Sequence, residues 1–161
     1  MLHMHRPKLF LLRAVVNSVG MFCGFTALTM IPLAQMTALS FTTPLFVTIG
    51  AVLFLGEVIR ARRVAAIGIG FLGTLIILQP GVVDVTSGSL LALVHALTIA
   101  TASVIVKVLT RSDSQHAIVT WMVIMQTPVA LIPSLWVWQW PDLLTWGFLW
   151  GMALSLSLIH I

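Results

Sequence analysis

Six apolar stretches follow one another along this chain, each close to the 17–25 residues that cross a bilayer as a helix. They are joined by short polar or proline-containing turns. Apolar residues make up 60% of the chain and charged ones 7%, against about 45–50% and about 25% in an ordinary soluble domain. So few charged side chains do not cover the surface of a soluble fold of this length, whereas lipid takes the place of water around such a surface. The runs are continuously apolar and do not alternate, which favours helices over a membrane barrel. The expected fold is therefore all-α: a polytopic membrane protein with about six transmembrane helices.

The first helix is expected over about Ala14–Ile31, with Leu9 as an earlier start, and the second over Leu33–Leu55. The third covers about Val64–Gln79 and stops at Pro80-Gly81. The fourth covers Ser87–Leu109, the fifth Ala117–Trp138, and the sixth Leu143–Ile161. The basic start has the shape of a signal peptide, but Arg13 and Asn17 interrupt its apolar run and no small-residue cleavage site follows, so it is read as a membrane helix. Numbering the flanks alternately places all eight Lys and Arg on one side: Arg6, Lys8 and Arg13, then Arg60, Arg62 and Arg63, then Lys107 and Arg111. The opposite loops hold Asp84 and Asp142. Cytoplasmic loops gather Lys and Arg, so the N-terminus is expected in the cytoplasm. The same placement assigns the net charge of +4 to membrane topology, not to a nucleic-acid partner. Trp136, Trp138, Trp140 and Trp146 bracket the Pro141-Asp142 turn as an outer interfacial belt. Cys23 is the single cysteine, which excludes an intrachain disulfide.

Close helix association in lipid relies on small residues. Gly20-x-x-x-Gly24 with Ala27, and Ala66, Gly70 and Thr74 with Gly73, supply two such faces. They serve helices of one chain or copies in a homo-oligomer. Pro44 lies inside the second helix and is expected to kink it, with Ser40, Thr42 or Thr43 close to the freed carbonyl. That segment is a kink, a substrate-lining segment, or both. Glu57, among Arg60, Arg62 and Arg63, is read as a cytoplasmic salt-bridge cluster in preference to a proton carrier. Thr43, His95 and Gln126 fall near the midplane, at about 12–15 Å from the helix ends. Polar groups at that depth either line a path or bond a neighbouring helix, and both readings stay open for each of them.

Arg6-Pro7 and Arg13, Ala27-Leu28 with Ile31-Pro32, Pro44, Leu55-Gly56-Glu57, and Gly68-x-Gly70-x-x-Gly73 ending at Pro80-Gly81 form an ordered string. In this order and spacing the chain resembles the drug/metabolite transporter superfamily, in particular its EamA-like members. The part from Ser87 onward, with Gly88, Lys107 and the Trp-rich turn, is similar to the opening of the family's second repeat. The resemblance implies ten helices in two inverted five-helix repeats, of which this chain holds the third to the eighth. Residues 1–81 then close the first repeat and 82–161 open the second, and the chain is expected to be a fragment.

The resemblance further implies a transporter of the plasma membrane, or of the inner membrane in a bacterium. It would move a small metabolite, amino-acid derivative or drug-like solute by alternating access, with a substrate path bordered by Thr43, Pro44, His95 and Gln126. The expected partners are the lipid bilayer and that small molecule, with no cofactor, metal or catalytic residue. A structural membrane subunit is the alternative. An intramembrane serine protease is disfavoured, because Ser89 and His95 share one helix on different faces and no G-x-S-x-G is present.

Overall fold

A computed structural model of the chain describes residues 5–78, 86–136 and 138–159. The described residues contain helices and no strand. In order they are α1 (Pro7–Met30), α2 (Leu33–Ser40), α3 (Thr43–Leu55), α4 (Ala61–Leu78), α5 (Ser87–Leu109), α6 (Gln115–Trp136) and α7 (Leu143–Ile159). Four stretches among them are long and apolar enough to cross a membrane: Pro7–Met30, Leu33–Leu55, Ser87–Leu109 and Gln115–Trp136. A shorter apolar segment, Leu143–Ser155, lies in α7, and α4 opens with Arg62 and Arg63. The chain is an all-α, polytopic membrane protein. The expected stop at Pro80-Gly81 and the loop carrying Asp84 lie outside the described residues.

Local chemistry sets the helix ends. Pro7 stands in the first turn of α1, where its missing N–H costs nothing. Ile31 is extended ahead of Pro32, as a residue before proline prefers. The second expected helix, Leu33–Leu55, is one apolar span interrupted ahead of Pro44: α2 ends at Ser40, Phe41 and Thr42 stay in the right-handed helical region, and Pro44 stands in the first turn of α3. The Thr42 hydroxyl donates to the Leu39 carbonyl at 2.6 Å and the Ser40 hydroxyl to the Met36 carbonyl at 2.9 Å. At the far end of α3, Gly56 takes the left-handed conformation with φ 65°. It directs its N–H to Val52 and that of Glu57 to Ala51, a closing turn that glycine adopts without a Cβ clash. Thr86 caps α5 by accepting from the Ser89 N–H. The first helix begins at Pro7, two residues before the earlier expected start at Leu9, with Arg13 carried inside it.

The chain forms two compact units, Met1–Ala130 and Leu131–Ile161. In the first, α5 is the central element, packed along α1 and against α2 and α3. Small residues line its closest helix contacts, with Ala27, Ala38, Ala92 and Ala96 fully buried, while Phe10, Leu109 and Leu39 fill the wider gaps. Many large side chains, such as Phe54 and Leu53, lie outside at 80% and 72% exposure. Such exposure is expected where lipid is the solvent and close backbone approach holds helices together. Gly20 and Gly24 of α1 are buried against α5, where added Cβ atoms would meet Thr98 and His95. By contrast, Gly68, Gly70 and Gly73 of α4 face open space. That helix is tied to α2 by Thr74, whose buried hydroxyl lies 3.0 Å from the Ala38 carbonyl.

In the second unit α7 starts at Asp142, whose carboxylate accepts the Thr145 N–H at 3.1 Å. Its hydrogen bonds with Thr145 hold the Asp142 carboxyl below the usual carboxylate range. Trp138 and Trp140 meet edge to face with centroids 5.8 Å apart. Trp136, Trp138, Trp140 and Trp146 are all exposed, as an interfacial belt requires.

Substituting Gly24 by Leu tests the α1–α5 seam. A Cβ there would stand 2.6 Å from the His95 ring, and overpacking of this kind costs about 1–3 kcal/mol. Unfolding in mixed detergent should shift by that amount, while Gly70→Leu on α4 should leave stability close to the parent.

Candidate functional site

Two layers of polar side chains cross the first unit, one near mid-depth and one at the end of the bundle. The mid-depth layer is built on α1. Asn17 lies ten residues along a helix rising 1.5 Å per residue, about 15 Å from its start. Gln126 lies eleven residues along α6, about 16 Å from its start, so both reach the same level. The Gln126 amide donates to the Ser18 hydroxyl at 2.7 Å and its oxygen accepts from the Asn17 amide at 3.4 Å. Ser18 is 5% exposed, while Asn17 and Gln126 are half-buried around it. Close by along α1, the His95 Nδ1 lies 2.7 Å from the Gly20 carbonyl. A glycine at position 24 is what admits the imidazole, since its ring covers the place of a Cβ there.

Of the four residues expected along a path, the structure brings Gln126 and His95 onto neighbouring positions of α1. Thr43 and Pro44 lie in the first turn of α3, at the break after α2, and make no hydrogen bond to either among the described residues. Asn17 and Ser18 complete the layer, and the only sequence sign of them was an amide and a hydroxyl side by side within an apolar helix. A further polar contact joins α2 to the start of α5, where the Gln35 amide donates to the Ser89 hydroxyl at 3.0 Å. No group of three or more His, Cys, Asp or Glu suited to a metal occurs among the described residues. The groups of the mid-depth layer are two amides, a hydroxyl, an imidazole and a backbone carbonyl. Such a set supplies both donors and acceptors for a polar solute.

The charged layer gathers the N-terminus, the α3–α4 turn and the α5–α6 turn at one end. Lys107 reaches Glu57 at 2.5 Å and Arg63 lies 4.0 Å from the same carboxylate. The hydrogen bond from Lys107 holds the Glu57 carboxyl below the usual carboxylate range, and the charges of Arg63 and Arg111 act in the same direction. Arg60 and Arg62 are exposed nearby in sequence without an ion pair among the described residues. Thus Glu57 is the centre of a salt-bridge cluster, with Lys107 in place of Arg60 and Arg62 as its main partner. The side chain of Asp113 is fully buried and lies 3.0 Å from the His5 ring. Burial pushes the Asp113 carboxyl up, but hydrogen bonds from the His5 backbone, the His5 ring and Ser112 outweigh it, and the net shift is downward. Three basic clusters separated by whole helices therefore meet at one end, as alternate crossing of a membrane requires.

An all-helical bundle with polar groups at mid-depth and its cations collected at one end is the arrangement of a polytopic membrane protein. Residues 3–79 match the EamA-like transporter family, and the chain belongs to that family, within the drug/metabolite transporter superfamily. It is 36% identical over 125 residues to a riboflavin transporter of Rhizobium johnstonii, covering 78% of this chain and 41% of that protein. It is 37% identical over 133 residues to a riboflavin transporter of Vibrio cholerae, covering 82% and 45%. An S-adenosylmethionine uptake transporter of Rickettsia bellii is 29% identical over 154 residues, covering 96% and 53%. The chain spans about half the length of these relatives. No solved structure matches it.

A double-mutant cycle of Ser18→Ala and Gln126→Leu measures the buried layer. Interhelical hydrogen bonds in a membrane protein couple by about 0.6 kcal/mol on average, up to about 1.7. The cycle should give a coupling in that range, whereas strictly additive losses would mean that the two side chains do not interact.

Proposed function

We propose that the whole protein is a secondary transporter of a small uncharged polar metabolite, with riboflavin as the first candidate. The supporting observation is the layer of Asn17, Ser18, Gln126 and His95. These groups lie near the bilayer midplane, where transporter sites tend to be. Riboflavin carries amide-like ring edges and hydroxyls, the complement of such a set, and it is the solute named for the two relatives at 36% and 37% identity. Thr43 and Pro44, at the break between α2 and α3, border the same path in this reading. Discontinuous helices of this kind commonly expose backbone groups to a substrate. Residues 1–81 belong to the first of two inverted repeats and 82–161 to the second, and alternating access arises as the repeats rock against one another.

The protein resides in the plasma membrane, the inner membrane in a bacterium, with its N-terminus and basic end in the cytoplasm. The eight cations and their gathering at one end support this orientation. Thiol labelling from outside, in a Cys23→Ser background, should modify Asp84→Cys and not Arg62→Cys. The reverse pattern would overturn the orientation.

Transport is tested with the full-length protein in proteoliposomes loaded with radiolabelled solutes. Riboflavin should exchange faster than S-adenosylmethionine, and Gln126→Leu should lower apparent affinity per folded molecule. Loss of yield with unchanged affinity in Gln126→Leu, Asn17→Leu and His95→Ala alike would reduce the layer to a packing role. Equal exchange of both solutes would reject the riboflavin assignment.

A further inference from the structure

Alongside the α1–α5 seam lies a cavity of about 470 Å³ between α1, α3 and α5, with Leu12, Phe46, Gly50, Phe54, Thr101 and Val104 among its walls. We propose that it holds one acyl chain of an anionic phospholipid, with the headgroup at the basic end of the bundle.

Length is the first argument. The α5 part of the lining runs from Leu97 to Val108, eleven residues and about 16 Å of helix. Half of a bilayer core about 30 Å thick is about 15 Å, so the groove is one leaflet deep. Its walls are apolar over that depth, and Gly50, Ala100 and Thr101 supply little volume, which leaves the space.

Width is the second. Spread over that length, the cavity has a mean section of about 30 Å². One extended hydrocarbon chain fits along a groove of that section.

Charge is the third. The Val108 end of the groove is the end where the cations gather. Lys107 precedes Val108 on α5 and Arg111 follows in the α5–α6 turn, Lys8 precedes the lining residue Leu9, and Arg63 stands beside Glu57. Glu57 is the carboxylate at this rim, and Lys107 engages it. Lys8 and Arg111 remain exposed and face no carboxylate within ion-pair distance among the described residues. A zwitterionic lipid satisfies the walls alone. An anionic one satisfies walls and rim together, the arrangement by which basic pockets between membrane helices select headgroups.

Lipid retention is measured without substrate, so this inference stands or falls separately from the transport reading. Full-length protein in detergent is given phosphatidylglycerol or phosphatidylcholine of matched chains, and bound lipid is read by native mass spectrometry. The parent should retain phosphatidylglycerol in preference. Lys8→Gln and Arg111→Gln should each lower its retention about fivefold, with phosphatidylcholine unchanged. Thr101→Phe should displace both lipids by filling the groove. To separate occupancy from misfolding, Thr101→Cys in the Cys23→Ser background is blocked after folding with an alkyl maleimide, which should also displace phosphatidylglycerol. Equal retention of the two lipids by the parent overturns the proposal, as does retention unaffected by the block. Under a thiol oxidant, a disulfide between Thr101→Cys of two copies would show a protein occupant and overturn the proposal. Displacement of the lipid by riboflavin would make the groove part of the substrate path, and would equally overturn it.

Discussion

Helices in lipid gain nothing by hiding apolar surface from one another, so the bundle depends on how closely two backbones approach. Here that approach is made along α1 and α5. Gly20 and Gly24 remove the side chains that would hold the helices apart, and Thr98 and His95 occupy the space. The His95 ring then reaches the Gly20 carbonyl at 2.7 Å. Near the end of the seam Gly88 of α5 receives Met30 and Ile31 of α1 in the same way. Small residues and a polar group act together: the glycines admit the imidazole, and the imidazole meets a carbonyl that a bulkier helix face would have screened.

Much else follows from that seam. With α1 fixed on α5, Asn17 and Ser18 stand within reach of α6, and Gln126 bonds both. The α3 helix closes on α5 through Gly50, whose Cβ position lies 3.0 Å from Val104. That contact brings the α3–α4 turn within reach of Lys107, and the ion pair with Glu57 fastens the end of the bundle. Polar groups are thus sorted by depth. Neutral ones meet inside, where ions are costly, and charged ones meet where water and headgroups screen them.

Most of the fold was legible because membrane helices announce themselves by length and apolarity. The fourth expected helix, Ser87–Leu109, coincides with α5, and the Gly20/Gly24/Ala27 face is the one that packs. The ends are read less closely than the spans. The first helix starts at Pro7, two residues before the earlier start at Leu9, with Arg13 carried inside it, since a cation near a helix end is compatible with either side of the boundary. Pro44 marks the interruption within the Leu33–Leu55 span, where α2 ends at Ser40 and α3 resumes at Thr43. The glycine-rich face of α4 shows the limit of the small-residue rule. The same pattern that packs in α1 is left open among the described residues of α4, since spacing marks a face without naming what covers it.

The site was less legible than the fold for a related reason. Depth is a one-dimensional quantity, and it marks Gln126 and His95 as polar groups within a span, without naming the Ser18 hydroxyl and Gly20 carbonyl that they meet. Identifying those partners requires the rotation of each helix about its axis, which apolar sequences encode poorly because residues all round the helix are hydrophobic. Asn17 and Gln126 are at equal depth in the chain, yet so are Thr43 and several hydroxyls that bond only their own helix. Thr37, Thr101 and Thr127 each return a hydrogen bond to a carbonyl four residues back. A hydroxyl has this local outlet and an amide or imidazole at a helix midpoint does not. The amides and imidazoles are therefore the groups that must look across to a neighbouring helix. In a chain of this composition they are few, and the layer of Asn17, Gln126 and His95 is what that requirement produces.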